Sequence, residues 1–524
     1  MFSRIFTAQV SFLNAQIVTV EVDITNGLHA FSIIGLPDKA VEESKDRIGA
    51  AIKHLGFTSP KQKNQKVVVS LAPADLKKEG PAFDIAMAMG YLVAAEHISF
   101  NPNGKIFLGE LSLDGSARPI SGTLRLVEEA KKRGFKEIFV PKENAREAAL
   151  IEGIKVFSIS SLAQILAHIH EKDTIGKGED ERPHEIIKLP AQKVTKIERN
   201  NSFYDIDFAD IKGQESAKRG LQIAAAGGHN ILMWGPPGTG KTMLSRAFRH
   251  ILPPLSFDKV LEITAIHSIA GTLENDMVTE APIRSPHHTS SYVSLIGGGA
   301  GIRPGEVTLA HGGVLFLDEF PEFDRKVLET LRQPLEEKTV SISRARGTVK
   351  FPAHFILIAA MNPCPCGNYG NTKVRCICRP ADLERYKRKV SGPILDRIDL
   401  HTEVGTVPHS LLGNSERSGK TTEEILKEVL SAREIQRKRF SDNRRKIETN
   451  SEMNGKEIYV YVNLSPEVRQ ELERFAERFN LSARSYHRMI KLARTIADLE
   501  NSEEVLKDHI MEAAQYRPKQ VNAF

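Results

Sequence analysis

No stretch of this chain constrains its fold as tightly as ILMWGPPGTGKTMLSRAFRHIL, residues 231 to 252. An apolar run of strand length enters a glycine loop, and the loop exits into a helical pattern, which is the context a phosphate-cradling loop requires. Gly235 opens the loop and Gly240, Lys241 and Thr242 close it, with Pro236, Pro237, Gly238 and Thr239 between them. Glycines 235, 238 and 240 let the backbone curl until its N–H groups surround phosphate oxygens, and the start of the next helix adds favourable partial charge. Lys241 is placed to reach the outer phosphates and Thr242 to ligate magnesium, so ATP and Mg2+ are the expected cofactors. A glycine-rich turn that binds nothing is the alternative, and it has all fixed positions and both flanks against it.

Two later apolar runs end on polar residues. GGVLFLDE ends on Asp318 and Glu319, carboxylates that would project from a sheet edge toward the phosphates. Asp318 would hold magnesium, largely through water, and Glu319 would polarise the attacking water as general base. Taken alone, the pair also reads as a helix start, because PEFDRKVLETL follows. The phosphate loop upstream favours the catalytic reading. FILIAAMNPC ends on Asn362, where a side-chain amide could orient water near the terminal phosphate.

The chain is 524 residues long, which implies roughly three or four domains. Short β-branched runs alternate with helical stretches up to about residue 170, giving a self-contained α/β domain over 1–170. A charged segment poor in large apolar residues, EKDTIGKGEDERPHE, marks a linker over 171–204. Residues 205–405 carry the strand–loop–helix order of a parallel sheet wrapped by helices, and 406–524 read as a helical lid with a serine cap at SPEV. The first twenty residues lack a continuous apolar run and no later run is long enough to span a bilayer, so a cytoplasmic protein without membrane attachment is expected. A net charge of +6 permits a polyanionic partner without demanding one.

All four cysteines fall in CPCGNYGNTKVRCIC, as Cys364, Cys366, Cys376 and Cys378. Four thiolates there could hold one structural zinc, although one-residue gaps are tighter than the common spacing; reduced, unligated thiols are the alternative. Between the Asp318 and Asn362 segments, TVSISRARGTVKF reads as strand, basic turn and strand, carrying Arg344, Arg346 and Lys350. Lining a pore, such arginines would bind nucleic-acid phosphates without reading sequence; a solvated hairpin tip is the bland alternative. His287, His288 and His311 show no metal pattern and read as polar or DNA-facing residues.

RSPHHT, LIGGG, RPGEVTLAHGGVLFLDE, MNPCPCG and SGPILDRIDLH together resemble the YifB/ComM family of magnesium-chelatase-like AAA+ proteins, over essentially the whole chain. The resemblance implies a homo-oligomeric ring, a hexamer, in which Arg397 reaches into the neighbouring subunit's site. It also implies that Arg484 contacts phosphate within its own subunit; a solvated helix charge like Arg488 or Lys491 is the other reading. Known members are implicated in DNA branch migration during recombination and natural transformation, so a DNA helicase working as a hexamer is the expectation. A magnesium-chelatase motor subunit and a protein remodeller are the rivals. Within the first domain, KKEGPAFDIAMAMG and GELSLDGSARPISG resemble the Lon protease domain, but Ala82 stands where its serine belongs and Leu124 where its lysine belongs. Proteolysis by that route is chemically excluded, leaving an accessory role in ring formation or DNA contact.

Overall fold

The computed structural model describes residues 1–60, 64–169, 188–196, 204–299, 303–344, 347–370, 374–408 and 419–517. It is a multidomain α/β protein that separates into two compact units. One unit is Met1–Glu198 with Phe257–Val278, and the other is Arg199–Ser256 with Thr279–Phe524.

In the first unit, β1 (Phe2–Ser11), β2 (Asn14–Asn26), β3 (Ala30–Ile34) and β4 (Gln65–Ala72) form a sheet ordered β1-β2-β4-β3. The period-2 alternation of β2 and β4 buries Val18, Val20, Val22 and Ile24 on one strand and Val67, Val69 and Leu71 on the other. They share a core with the helix Asp84–Ala94, whose sequence DIAMAMGYLVA is apolar on nearly every side, as a helix buried all round must be. Asp84, fully buried, accepts from Arg47 Nε at 2.7 Å and Nη2 at 3.1 Å. Burial pushes the Asp84 carboxyl above its ordinary range, and the Arg47 guanidinium opposes that.

Next come β5 (Lys105–Phe107), the short pair β6 (Glu110–Leu111) and β7 (Ala117–Arg118), then β8 (Glu137–Pro141) and β9 (Lys155–Ile159). The strands β5, β8 and β9 form a parallel sheet. Most of the expected linker over 171–204 lies outside the described residues. The portion 188–196 runs beside β9, with Gln192 N–H donating to Val156 O at 2.8 Å and Thr195 Oγ1 to Arg146 O at 2.7 Å. The helix Phe257–Ala270 also belongs to this unit, although the sequence pattern carried it inside the 205–405 block. Its Ser268 hydroxyl accepts from Gly122 N–H at 2.8 Å, and its Ala265 is buried with Leu124 and Leu150.

The second unit is built on β10 (Ile231–Trp234), β11 (Ile283–Arg284), β12 (Gly297–Gly298), β13 (Arg303–Pro304), β14 (Val314–Leu317), β15 (Thr339–Arg344), β16 (Gly347–Pro352), β17 (Ile356–Met361) and β18 (Leu400–Glu403). Five of them form a parallel sheet ordered β11-β14-β17-β10-β18. Covered on both faces, its inner strands read as the unbroken apolar runs ILMW, VLFL and ILIAAM. The pairs β12/β13 and β15/β16 are antiparallel and stand apart from this sheet.

The C-terminal region is helical, with helices Thr422–Arg439, Gly455–Tyr461, Pro466–Arg478, Ala483–Leu499 and Lys507–Gln515. Thr421 and Glu424 cap the first reciprocally, and Ser465 caps Pro466–Arg478 by accepting from Val468 N–H at 3.3 Å. Ile425, Val429, Leu492 and Ile496 share one apolar cluster with Ile231 and Met233 of the sheet. Among the described residues no helix is long and apolar enough to cross a membrane.

A buried polar knot pins the lid. Asp498, fully buried, accepts from Arg439 Nη1 at 2.8 Å, Arg494 Nε at 3.1 Å and Asn450 Nδ2 at 2.8 Å. Removing the carboxylate strands two guanidiniums in the interior. Asp498→Ala should therefore destabilise the second unit by about 3–5 kcal/mol, whereas Arg437→Ala, which breaks only the exposed pair with Glu434, should leave the urea midpoint unchanged. Urea titration followed by tryptophan fluorescence from Trp234 checks both.

Candidate active site

Parallel strands present their carboxyl ends at one edge, which is where open α/β sheets bind ligands. In register Trp234 faces Met361 and Leu317 faces Ala359, so the loops after β10, β14 and β17 emerge side by side. Gly235 N–H donates to Met361 O at 3.2 Å across the first of these joints. The loop turns through Gly238 at φ +74° and Gly240 at φ +94°, and the helix Lys241–Phe248 starts immediately after it. Open space surrounds both glycines, so it is the left-handed backbone, not crowding, that selects them. Thr239 Oγ1 steadies the turn by donating to Pro236 O at 2.9 Å.

Lys241 is buried, and its ammonium donates to Gly235 O at 2.7 Å, Pro236 O at 2.8 Å and Asn362 Oδ1 at 3.2 Å. Burial lowers its pKa from the ordinary lysine value, and the Asp318 carboxylate opposes that shift. Thr242 Oγ1 donates to Asp318 Oδ2 at 3.0 Å. A hydroxyl and a carboxylate this close make an oxygen donor set suited to a hard cation, so the residues fit Mg2+. The next residue, Glu319, sits at φ +50°, a left-handed conformation uncommon outside glycine, with its N–H bonded to Asp318 Oδ1 at 2.9 Å. The fold thus brings Lys241, Thr242, Asp318, Glu319 and Asn362, which lie far apart in the chain, to one edge.

Glu319 has a partner that sequence reasoning missed. His288 Nδ1 lies 3.0 Å from Glu319 Oε2, and its ring packs on His287 at 4.2 Å between centroids. His288 was expected to be a polar or DNA-facing residue; no spacing signal connects it with an acid thirty-one positions on. His311 is buried instead, its Nδ1 accepting from His354 N–H at 3.1 Å.

The two arginines are brought to each other. Arg397 Nη2 lies 2.6 Å from Glu336 Oε1, and Arg484 bonds to the same oxygen. The described partner of Arg484 is the carboxylate that also holds Arg397. Arg488 and Lys491 are not solvated helix charges. Arg488 is buried, with Nε 3.2 Å from Asp399 Oδ1 and Nη1 donating to Ile398 O at 2.9 Å, and Lys491 Nζ donates to Ser451 O at 2.8 Å. One turn separates Arg488 from Leu492 on the same helix face, which was the available sign of burial.

The hairpin β15/β16 forms as the sequence predicts, pairing Ser341 with Lys350 and Arg344 with Gly347, and Lys350 is exposed. Arg346 and the side chain of Arg344 lie outside the described residues. The four cysteine sulfurs converge within 4.8 Å of one another. In the first unit Ala82 O accepts from Gly109 N–H at 3.1 Å, and Leu124, at the position of the Lon lysine, is buried.

A parallel sheet with a phosphate loop, an acidic pair and a polar residue at the ends of adjacent strands, sharing its core with a helical lid, defines an AAA+ ATPase. Comparison with known families agrees. Residues 207–412 match the family described as magnesium chelatase, subunit ChlI; residues 20–144 match subunit ChlI of Mg-chelatase; and residues 419–517 match the C-terminal part of that subunit. The protein YifB of Salmonella typhimurium is 39% identical over 508 residues, 96% of this chain and 95% of its own. Competence protein ComM of Haemophilus influenzae is 38% identical over 509 residues, with the same coverage of 96% and 95%. Lon protease 2 of Bacillus subtilis is 30% identical over 148 residues, 26% of each chain. The chain belongs to the YifB/ComM family of magnesium-chelatase-like AAA+ ATPases.

A carboxylate engaged by an imidazole is less free to polarise water. An exposed pair of this kind contributes up to about 1 kcal/mol, so His288→Ala should raise ATP turnover by at most about fivefold. Glu319→Gln should instead lower turnover by at least about 100-fold while nucleotide still binds. Steady-state phosphate release alongside a nucleotide-binding titration distinguishes the two effects.

Proposed function

We propose that this ATPase works on DNA as a homo-oligomeric ring, a hexamer, and serves as a branch-migration helicase in recombination or natural transformation. The observation that carries the reading is the basic hairpin β15/β16, with Lys350 exposed on its returning strand and with Arg344 and Arg346 falling, by sequence, in and beside its turn. A collar of such tips would bind phosphates without reading bases. A relative similar over 96% of the chain carries the name competence protein, which supports the same direction.

Within the site, Lys241 binds the outer phosphates, Thr242 and Asp318 hold magnesium, Glu319 takes the proton of the attacking water, and Asn362 orients that water. Magnesium, when bound, neutralises charge on the phosphoryl group being transferred. Arg397 serves the neighbouring subunit's phosphate and Arg484 the phosphate of its own subunit, guanidinium groups that offset the same charge; their common partner Glu336 supports their acting together. The chelatase-type alternative rests on the family match of residues 207–412.

ATP turnover should be measured without DNA, with single-stranded DNA and with a four-way junction, using Glu319→Gln as control. DNA should stimulate turnover, and Arg344→Ala with Arg346→Ala should remove that increment. Equal turnover in all three conditions together with no DNA binding at low salt overturns the DNA reading in favour of a chelatase-type motor or a protein remodeller.

A further inference from the structure

We propose that Cys364, Cys366, Cys376 and Cys378 form a four-thiolate zinc site whose task is to brace the phosphate loop and Asn362 against each other. The sulfur geometry supports the metal. Cys364 Sγ lies 3.4 Å from Cys366 Sγ and 3.8 Å from Cys376 Sγ, and the last two are 3.6 Å apart. Zinc bonded to four sulfurs at about 2.3 Å holds them about 3.8 Å apart at the corners of a tetrahedron. Tyr369 N–H donates to Cys364 Sγ at 3.3 Å, a backbone bond of the kind that supports a metal-bound thiolate.

The described part of the segment also buries little apolar surface. Val374 is 51% exposed and Ile377, between two of the cysteines, is 84% exposed, while Cys364 is fully buried. An excursion that buries so little apolar surface needs a staple to hold one conformation.

Its position explains what the staple would do. Cys364 follows Asn362 by two residues, and Asn362 is held from both ends, its Oδ1 accepting from Lys241 and its backbone O accepting from Tyr386 Oη at 3.1 Å. On the other side, Gly367, at φ +79°, lies against the phosphate loop: a Cβ there would sit 2.5 Å from Pro237 Cδ and 3.1 Å from Pro237 Cγ. The knuckle therefore touches the loop at Pro237 and continues directly into Asn362. With zinc bound it fixes the spacing between them; without zinc both contacts loosen.

The full chain, purified without chelator, should contain about one zinc per subunit by elemental analysis. Replacement by Co2+ should give the sulfur-to-cobalt charge-transfer and tetrahedral ligand-field bands. A chain that carries no zinc and takes up neither Zn2+ nor Co2+ overturns the site. Cys376→Ser with Cys378→Ser should lose the metal and bind a fluorescent ATP analogue about tenfold more weakly or worse. Because that variant could also unfold locally, Gly367→Ala provides the decisive arm: it keeps all four thiolates but forces the knuckle away from Pro237. It should retain full zinc content and bind the analogue several-fold more weakly; wild-type affinity there overturns the bracing role. The bracing role rests on reading the loop and Asn362 as nucleotide contacts, but zinc content does not, and neither measurement involves DNA.

Discussion

The parallel pairing of β17 with β14 on one side and β10 on the other is the constraint on which the active site depends. It converts three separate sequence segments into one edge. Had β17 paired in the opposite sense, Asn362 would emerge at the far edge from the phosphate loop. Asn230 locks this arrangement from the amino end of β10. Its Oδ1 accepts from Leu357 N–H at 2.9 Å and its Nδ2 donates to Arg397 O at 3.1 Å, while its own N–H donates to Asp399 Oδ2 at 3.2 Å. One side chain therefore ties the sheet register to the turn that carries Arg397. Asp399 extends the tie to the lid through Arg488, so lid and sheet are joined by buried polar contacts as well as by their common apolar core.

What could be read from the sequence follows the distance over which the information acts. The phosphate loop, Asp318, Glu319 and Asn362 were legible because each sits at the end of an apolar run, so a few adjacent residues carry the whole signal. The hairpin β15/β16 and the Ser465 cap were legible for the same local reason. Contacts across the fold were not. Arg484 meets Glu336 across 148 positions and Arg488 meets Ile398 across 90, and no periodicity within a helix encodes such partners. The placement of Phe257–Ala270 in the first unit was hidden because its helical pattern records that a face is buried without recording against what. The cysteines stand between these cases: their clustering was visible in the string, whereas the convergence of their sulfurs depends on how the loop closes.

The arrangement around Glu336 bears on the proposed ring. One carboxylate faces two guanidiniums, and Arg397 Nε is buried without a hydrogen-bond partner. Arg397 keeps only 9% of its side chain exposed, so its excess positive charge is poorly compensated by water. Charges held in this way are costly unless an anion completes them. A phosphate from an adjoining subunit would supply that anion, and Glu336, at 41% exposure, is open enough to give way to it. The same cluster would then be least stable in an isolated subunit and best satisfied in an assembled ring, which links assembly to the nucleotide site through charge rather than through a large change of shape.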